Sequence, residues 1–266
     1  RVLSDFGAEV IKVEALNGDL LRETGRGHAM PTEDGNNPLF DMFNSGKKMV
    51  ALNLKAEDGM RVMQELLAQA DVFISNVRMP SLQRLGLDYA ALHKKFPNLI
   101  YGHFSGFGLA GNEAGDPGFD VTAFWMRSGA MLDTLTPGSF PLRPSYAFGD
   151  LATSASFVSG ILMALYARTQ GNGGTLVSTS LLNSGLWCNS TYLVNAQEKY
   201  GRQYPLDRFD PWDPFTDYYQ CADGEWVGII EKLYSKDKSI FADLFDMPEL
   251  LEDPDLETLR TMAASG

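Results

Sequence analysis

Short apolar runs alternate with helix-patterned segments through the first hundred residues, and that alternation restricts the fold more than any other feature of the chain. Residues 10–14, 49–54, 71–75 and 99–104 read as strands, each a nearly continuous apolar run. Between the second and third strands, residues 57–70 place Met60, Val62, Met63, Leu66 and Leu67 at the spacing of one helical face. Residues 82–93 read as a further helix, and residues 17–38, rich in Gly, Asp, Asn and Thr, as a loop. Strands apolar along their whole length are buried on both faces, so the pattern predicts an α/β fold whose parallel sheet is covered by helices on each side. Sheets of this kind bind their ligands at the carboxyl ends of the strands.

Beyond residue 104 the chain changes character. Residues 105–149 are glycine-rich and irregular, with a helix expected at 122–131. A strong helix is predicted over 151–168, stopped by Gly171, Gly173 and Gly174, and another over 180–199. Residues 204–214 form a linker candidate with three prolines and three aspartates. Residues 218–221 and 226–230 then read as a strand pair turning at Asp223-Gly224. This organisation predicts a large domain over 1–204 and the start of a smaller α+β domain over 205–266, cut short at its end. The chain opens at Arg1 inside an element, without a start Met or a signal-peptide pattern, and reads as a piece of a longer protein.

Composition excludes several functions. The net charge of −12 argues against nucleic acid, whose backbone demands a basic face. That charge is uneven: residues 1–100 hold 12 Lys/Arg against 13 Asp/Glu, whereas residues 201–266 hold 6 against 15. An anionic ligand is therefore expected on the first hundred residues. The longest apolar run, 158–167, is about half the length that spans a bilayer, so no membrane partner is expected. Two cysteines, Cys188 and Cys221, without a CxxC pattern, fit a reducing cytoplasm and offer no zinc site. His28, His93 and His103 match no metal-ligand spacing, and no metal is expected.

Gly106-Phe107-Gly108-Leu109-Ala110-Gly111 is a literal GxGxxG after a strand. A dinucleotide site needs a helix to open within that string, and the following Asn112-Glu113-Ala114-Gly115-Asp116-Pro117-Gly118 propagates a helix poorly, so a turn-forming loop is predicted. Asp150 opens the 151–168 helix, where a carboxylate accepts from free N–H groups as an N-cap. The same position favours the ionised, nucleophilic form, and the adjacent Gly149 would let a substrate approach. Lys47, Lys48, Lys55, Arg78 and Arg84 lie near strand ends or the turns after them; a solvated surface role is the commoner one for such residues and phosphate binding the alternative, which Arg78, just after the third strand, is best placed for.

Several of these segments together resemble the class III CoA-transferases, the formyl-CoA and carnitine CoA-transferase type. Residues 3–14 (LSDFGAEVIKVE) resemble the family's opening helix and strand, and 44–55 (NSGKKMVALNLK) its next signature. Residues 70–78 (ADVFISNVR), 84–87 (RLGL), 97–101 (PNLIY) with 105–108 (SGFG), 117–120 (PGFD) and Gly149-Asp150 complete the series in order and spacing.

The resemblance implies a Rossmann-like large domain, a smaller α+β domain, and an interlocked homodimer. It implies that the first strand and the C-terminal return of the large domain are missing here. It implies transfer of coenzyme A, as co-substrate, from an acyl-CoA donor to a carboxylic acid acceptor through an aspartyl anhydride and an aspartyl-CoA thioester, with Asp150 as the nucleophile. CoA contacts are then expected from Leu52, Asn53, Leu54, Lys55, Asn76, Val77, Arg78, Arg84, Pro117, Gly118, Phe119 and Asp120, with Lys55, Arg78 and Arg84 serving phosphates. Related racemases carry His where this chain has Phe119, and phenylalanine moves no proton, which disfavours α-proton chemistry. Formyl-CoA transferases carry a glycine-rich loop ahead of the small domain. Residues 205–212 (PLDRFDPW) differ from it and lean toward a bulkier acceptor such as a carnitine-like or 2-hydroxy acid. A non-catalytic CoA-binding protein of the same fold is the alternative from another class.

Overall fold

Each strand expected in the first hundred residues is present and runs parallel to a neighbour. In the structure, a computed structural model that describes residues 1–200, 204–208, 216–230 and 234–252, β1 (Val10–Glu14) pairs with β2 (Lys47–Ala51), Val13 lying opposite Val50. β3 (Val72–Ser75), β4 (Ile100–Ser105) and β5 (Leu176–Ser180) form a second parallel sheet with β4 in the middle. β2 begins two residues earlier than the apolar run suggests, because Lys47 and Lys48 pair with Val10 and Ile11. β5 went unforeseen: its hydroxyl-rich LVSTS gives little strand signal alone, and pairing with β4 decides its conformation.

Local chemistry explains the other departures. The helix expected at 82–93 is two, Met79–Leu85 and Tyr89–Lys95, because Gly86 turns at φ 64° and the Asp88 side chain caps the second by accepting from Ala91 N–H at 3.2 Å. The 180–199 helix is likewise broken at Asn189 into Leu181–Cys188 and Ser190–Asn195. At 122–131 the chain forms a wide π-type helix, Asp120–Met126, then Gly129 at φ 86°, then Ala130–Asp133. The loop expected at 17–38 holds a short helix, Leu21–Thr24, and a 3-10 turn, Gly25–His28. Buried Glu14 at the end of β1 anchors the Leu21–Thr24 helix through Arg22 at 2.9 Å, and Lys12 of β1 lies 3.2 Å from the same carboxylate. Burial pushes the Glu14 carboxyl up, but the bonds from Arg22 and Lys12 outweigh it and hold the group below the ordinary carboxylate range.

β4 carries the core on both its faces. On one side Tyr101 packs with Met63, Leu67, Leu82, Leu87, Leu92 and Leu99. On the other, Ile100 meets Phe157, Ile161 and Ala164 of the Phe148–Ala167 helix. Full burial of a side chain such as Ile161 contributes roughly 1.5–3 kcal/mol. Gly102 is required between them, since a Cβ there would lie 2.8 Å from the Phe157 ring. Phe148–Asn172 is long and apolar enough, by length and composition, to cross a bilayer, contrary to the shorter run read from the sequence. Here its Phe157/Ile161/Ala164 stripe is spent on β4 and β5.

The chain packs as two units, Arg1–Thr134 with Pro141–Arg202, and Leu135–Phe140 with Gln203–Gly266. In the second, β6 (Thr216–Gln220) and β7 (Trp226–Ile230) form an antiparallel pair whose turn uses Gly224 at φ 89°. The Tyr234–Phe245 helix follows. Residues 209–214 of the linker candidate, and 253–266 at the end of the smaller domain, lie outside the described residues.

Candidate active site

The site is assembled where β4 ends. Gly106 turns the chain and packs backbone to backbone on Gly118; a Cβ on Gly106 would fall 2.6 Å from the Gly118 Cα. The Gly106 carbonyl also accepts from Leu182 N–H at 3.0 Å. The GxGxxG string is thus a loop, with Gly108 and Gly111 at φ 99° and 96° and no helix opening inside it. Its first glycine serves to bring residues 117–120 across the carboxyl end of β4.

That contact delivers Asp120. Its carboxylate is buried, and Oδ2 accepts from the N–H of Gly149 at 2.7 Å and of Asp150 at 3.1 Å. The cap of the Phe148–Ala167 helix therefore comes from a distant part of the chain. Asp150 is not the N-cap expected from sequence: Ala147 holds that position at φ 59°, without a side-chain cap bond, and Asp150 is the helix's third residue. Gly149 also has a different reason from the one expected. A Cβ there would lie 2.7 Å from the Phe124 Cβ, so the glycine makes room for Phe124.

Asp150 is thereby freed from capping, and among the described residues its side chain makes no hydrogen bond or ion pair. Burial, and then the neighbouring Asp120, push its carboxyl up to about 6. It is ionised at neutral pH yet more basic than an ordinary aspartate, which suits a carboxylate nucleophile. Aromatic rings surround the start of its helix: Trp125 and Phe148 lie 5.5 Å apart between centroids, and Tyr146 meets the His28 ring edge-on at 4.8 Å.

The expected CoA contacts fall on segments leaving the strands. Leu52 and Leu54 after β2 pack against the core, while Asn53 Oδ1 accepts from Lys55 N–H at 3.1 Å and Lys55 is exposed. Asn76, Val77 and Arg78 follow β3 and are exposed. Arg84, on the helix that Arg78 opens, bonds Ser81 Oγ at 2.9 Å. Pro117 and Phe119 are exposed, Phe119 at 72%, and Gly118 is half-buried against Gly106. Of these residues the structure bonds Asp120 to the Asp150 backbone; among the described residues no hydrogen bond ties the 52–55 or 76–78 segments to it.

Two further residues support the site. Asp120 was expected at CoA, and its capping role is invisible without the fold that brings Gly118 to Gly106. His103 on β4, one of the three histidines outside any metal-ligand spacing, is buried with Nε2 3.1 Å from the Val77 carbonyl, bracing the loop that bears Arg78. Burial holds His103 below its ordinary range, with the Val77 carbonyl pulling the other way. Its apolar strand neighbours were the available signal.

Comparison with known proteins meets this geometry. The sequence model of CoA-transferase family III matches residues 1–265. The chain is 33% identical to (R)-2-hydroxy-4-methylpentanoate CoA-transferase of Clostridioides difficile over 98% of its own length and 65% of that protein. It is 35% identical to cinnamoyl-CoA:phenyllactate CoA-transferase of Clostridium sporogenes, over 92% of this chain and 59% of the other. The crystal structure of a CAIB/BAIF family protein from Brucella suis superposes with a TM-score of 0.78 at 26% identity, covering 98% of this chain and 70% of that one. The chain spans about three fifths of the length of these curated relatives. It belongs to CoA-transferase family III.

Proposed function

We propose that this chain carries the nucleophile and the first CoA contacts of an enzyme that transfers coenzyme A between carboxylic acids. The observation that supports it most is Asp150: a carboxylate on the first turn of a core helix, relieved of capping by Asp120 and made more basic by burial. One carboxylate oxygen attacks the thioester carbonyl and the CoA thiolate leaves, giving an aspartyl acyl anhydride. The thiolate attacks the aspartyl carbonyl, the donor carboxylate departs, and an aspartyl-CoA thioester remains. The acceptor carboxylate reverses both steps, so one acyl-CoA and one acid are exchanged with no net proton or redox change.

Lys55, Arg78 and Arg84 would meet CoA phosphates from the 52–55, 76–78 and 84 positions, with Pro117, Gly118 and Phe119 beside the pantetheine arm. Asp120 acts from behind the nucleophile instead of on CoA. A 2-hydroxy acid with an apolar side chain is the acceptor class; the names of two relatives and the aromatic surround of Trp125, Phe148 and Tyr146 support it. The resemblance adds an interlocked homodimer built from a large domain over 1–204 and a smaller one beginning at 205. Two exposed, unpaired cysteines suit the cytoplasm.

Incubating the full-length protein with an acyl-CoA donor and a panel of acids, then separating CoA esters by chromatography, tests the reading. Transfer to branched or aromatic 2-hydroxy acids that is lost in Asp150→Asn is the expected result. Donor that is bound but neither exchanged nor consumed across the panel would leave a CoA-binding protein and sink the transferase.

A further inference from the structure

We infer that Asp120 is a positioning residue for the transfer: its buried carboxylate clamps the first turn of the nucleophile's helix and sets a negative charge behind Asp150. The inference rests on the reading of Asp150 as nucleophile and assigns it a partner.

A helix is ordinarily capped by its own N-cap side chain. Here Ala147 has no oxygen to offer, and the bonds come from Asp120, which takes Gly149 N–H at 2.7 Å and Asp150 N–H at 3.1 Å. Phe124 fills the other side of Gly149. The first turn is thus held between a carboxylate and a ring, both belonging to the Asp120–Met126 helix. Since Gly118 packs on Gly106 and Asp120 bonds the Gly149 and Asp150 N–H groups, the 117–120 loop links the end of β4 to the nucleophile's backbone.

The charge itself needs a reason. Asp120 is buried, and its Oδ1 has no partner among the described residues, an arrangement that costs stability. An asparagine would cap the same two N–H groups without placing a charge there. A retained charge next to Asp150 raises the basicity of the attacking oxygen, in agreement with the upward shift attributed to burial and then Asp120. Other titratable groups on elements packed against this helix are otherwise engaged or uncharged. Asp5 pairs with Arg1 and Arg168 with Asp71; burial pushes the Tyr101 hydroxyl up and holds His103 below its ordinary range, Tyr146 meets the His28 ring, and Cys188 is exposed.

The test reads covalent modification of Asp150 by mass spectrometry after the full-length protein meets an acyl-CoA, at pH 4.5 to 8.5, with hydroxylamine trapping. In Asp120→Asn the cap persists and the charge is gone. Labelling at pH 8 is expected to fall by about two- to threefold, while its acid midpoint moves down by about half to one pH unit. In Asp120→Ala the cap goes too, and labelling is expected to fall about tenfold or more at every pH. A midpoint unmoved in Asp120→Asn, or wild-type labelling in Asp120→Ala, overturns the inference. Absence of labelling in the wild-type protein would instead remove the reading of Asp150 on which it stands.

Discussion

Replacing Asp150 by Asn is expected to stabilise the fold while abolishing transfer, and the stabilisation should depend on pH in a defined direction. The folded protein holds Asp150 at about 6 against a reference of 3.8, through burial first and Asp120 second. Well below pH 3.8 both folded and unfolded chains carry the proton, and the site costs nothing. As pH rises from there the unfolded chain releases its proton first, so wild-type stability falls until the folded group ionises near pH 6. Above that the cost is constant. Two pKa units correspond to about 3 kcal/mol at most. Partial exposure of the carboxylate and the positive end of the helix reduce this to about 1–2 kcal/mol. The Asp150→Asn variant carries no such cost, so urea unfolding should give nearly equal wild-type and mutant stabilities at pH 3 and a mutant advantage of about 1–2 kcal/mol at pH 7.5. In a domain of this size that is roughly 2–6 °C in Tm. An advantage equal at both pH values, or a mutant less stable at pH 7.5, would refute the reasoning.

Other consequences follow from the same geometry. Gly149→Ala drives a Cβ into Phe124 and should lower stability by about 1–3 kcal/mol in urea unfolding, with a larger loss of activity than of CoA binding. Gly106→Ala should cost a similar ~1–3 kcal/mol, because the added Cβ meets Gly118 backbone that cannot swing aside. Lys55→Ala and Arg78→Ala should each raise KM for acyl-CoA about tenfold with little change in kcat, and the effect should shrink in high salt; unchanged KM would place the phosphates elsewhere.

How much of this was readable beforehand depends on the range of the interactions. Strands β1 to β4 and the 57–69 helix follow from local apolar periodicity, and they emerged within a few residues of their bounds. Breaks set by a single residue, such as Gly86 or Asn189, were smoothed into longer helices because propensity integrates over a window. β5 exists through its pairing with β4, a non-local bond that LVSTS does not announce. From sequence Asp150 stands as the N-cap of its own helix, yet it is the helix's third residue. The true cap, Asp120, lies 30 residues upstream and reaches it through a glycine–glycine contact that no pattern encodes.

The central claim is that Asp150 becomes covalently bonded during turnover. The most direct measurement incubates the full-length protein with an acyl-CoA, traps with hydroxylamine or borohydride, and maps the modified peptide by mass spectrometry beside Asp150→Asn. Modification at Asp150 in the wild type and its absence in the mutant is the predicted result. An unmodified Asp150 under conditions where CoA exchange proceeds would contradict the account and require another group to carry the acyl chain.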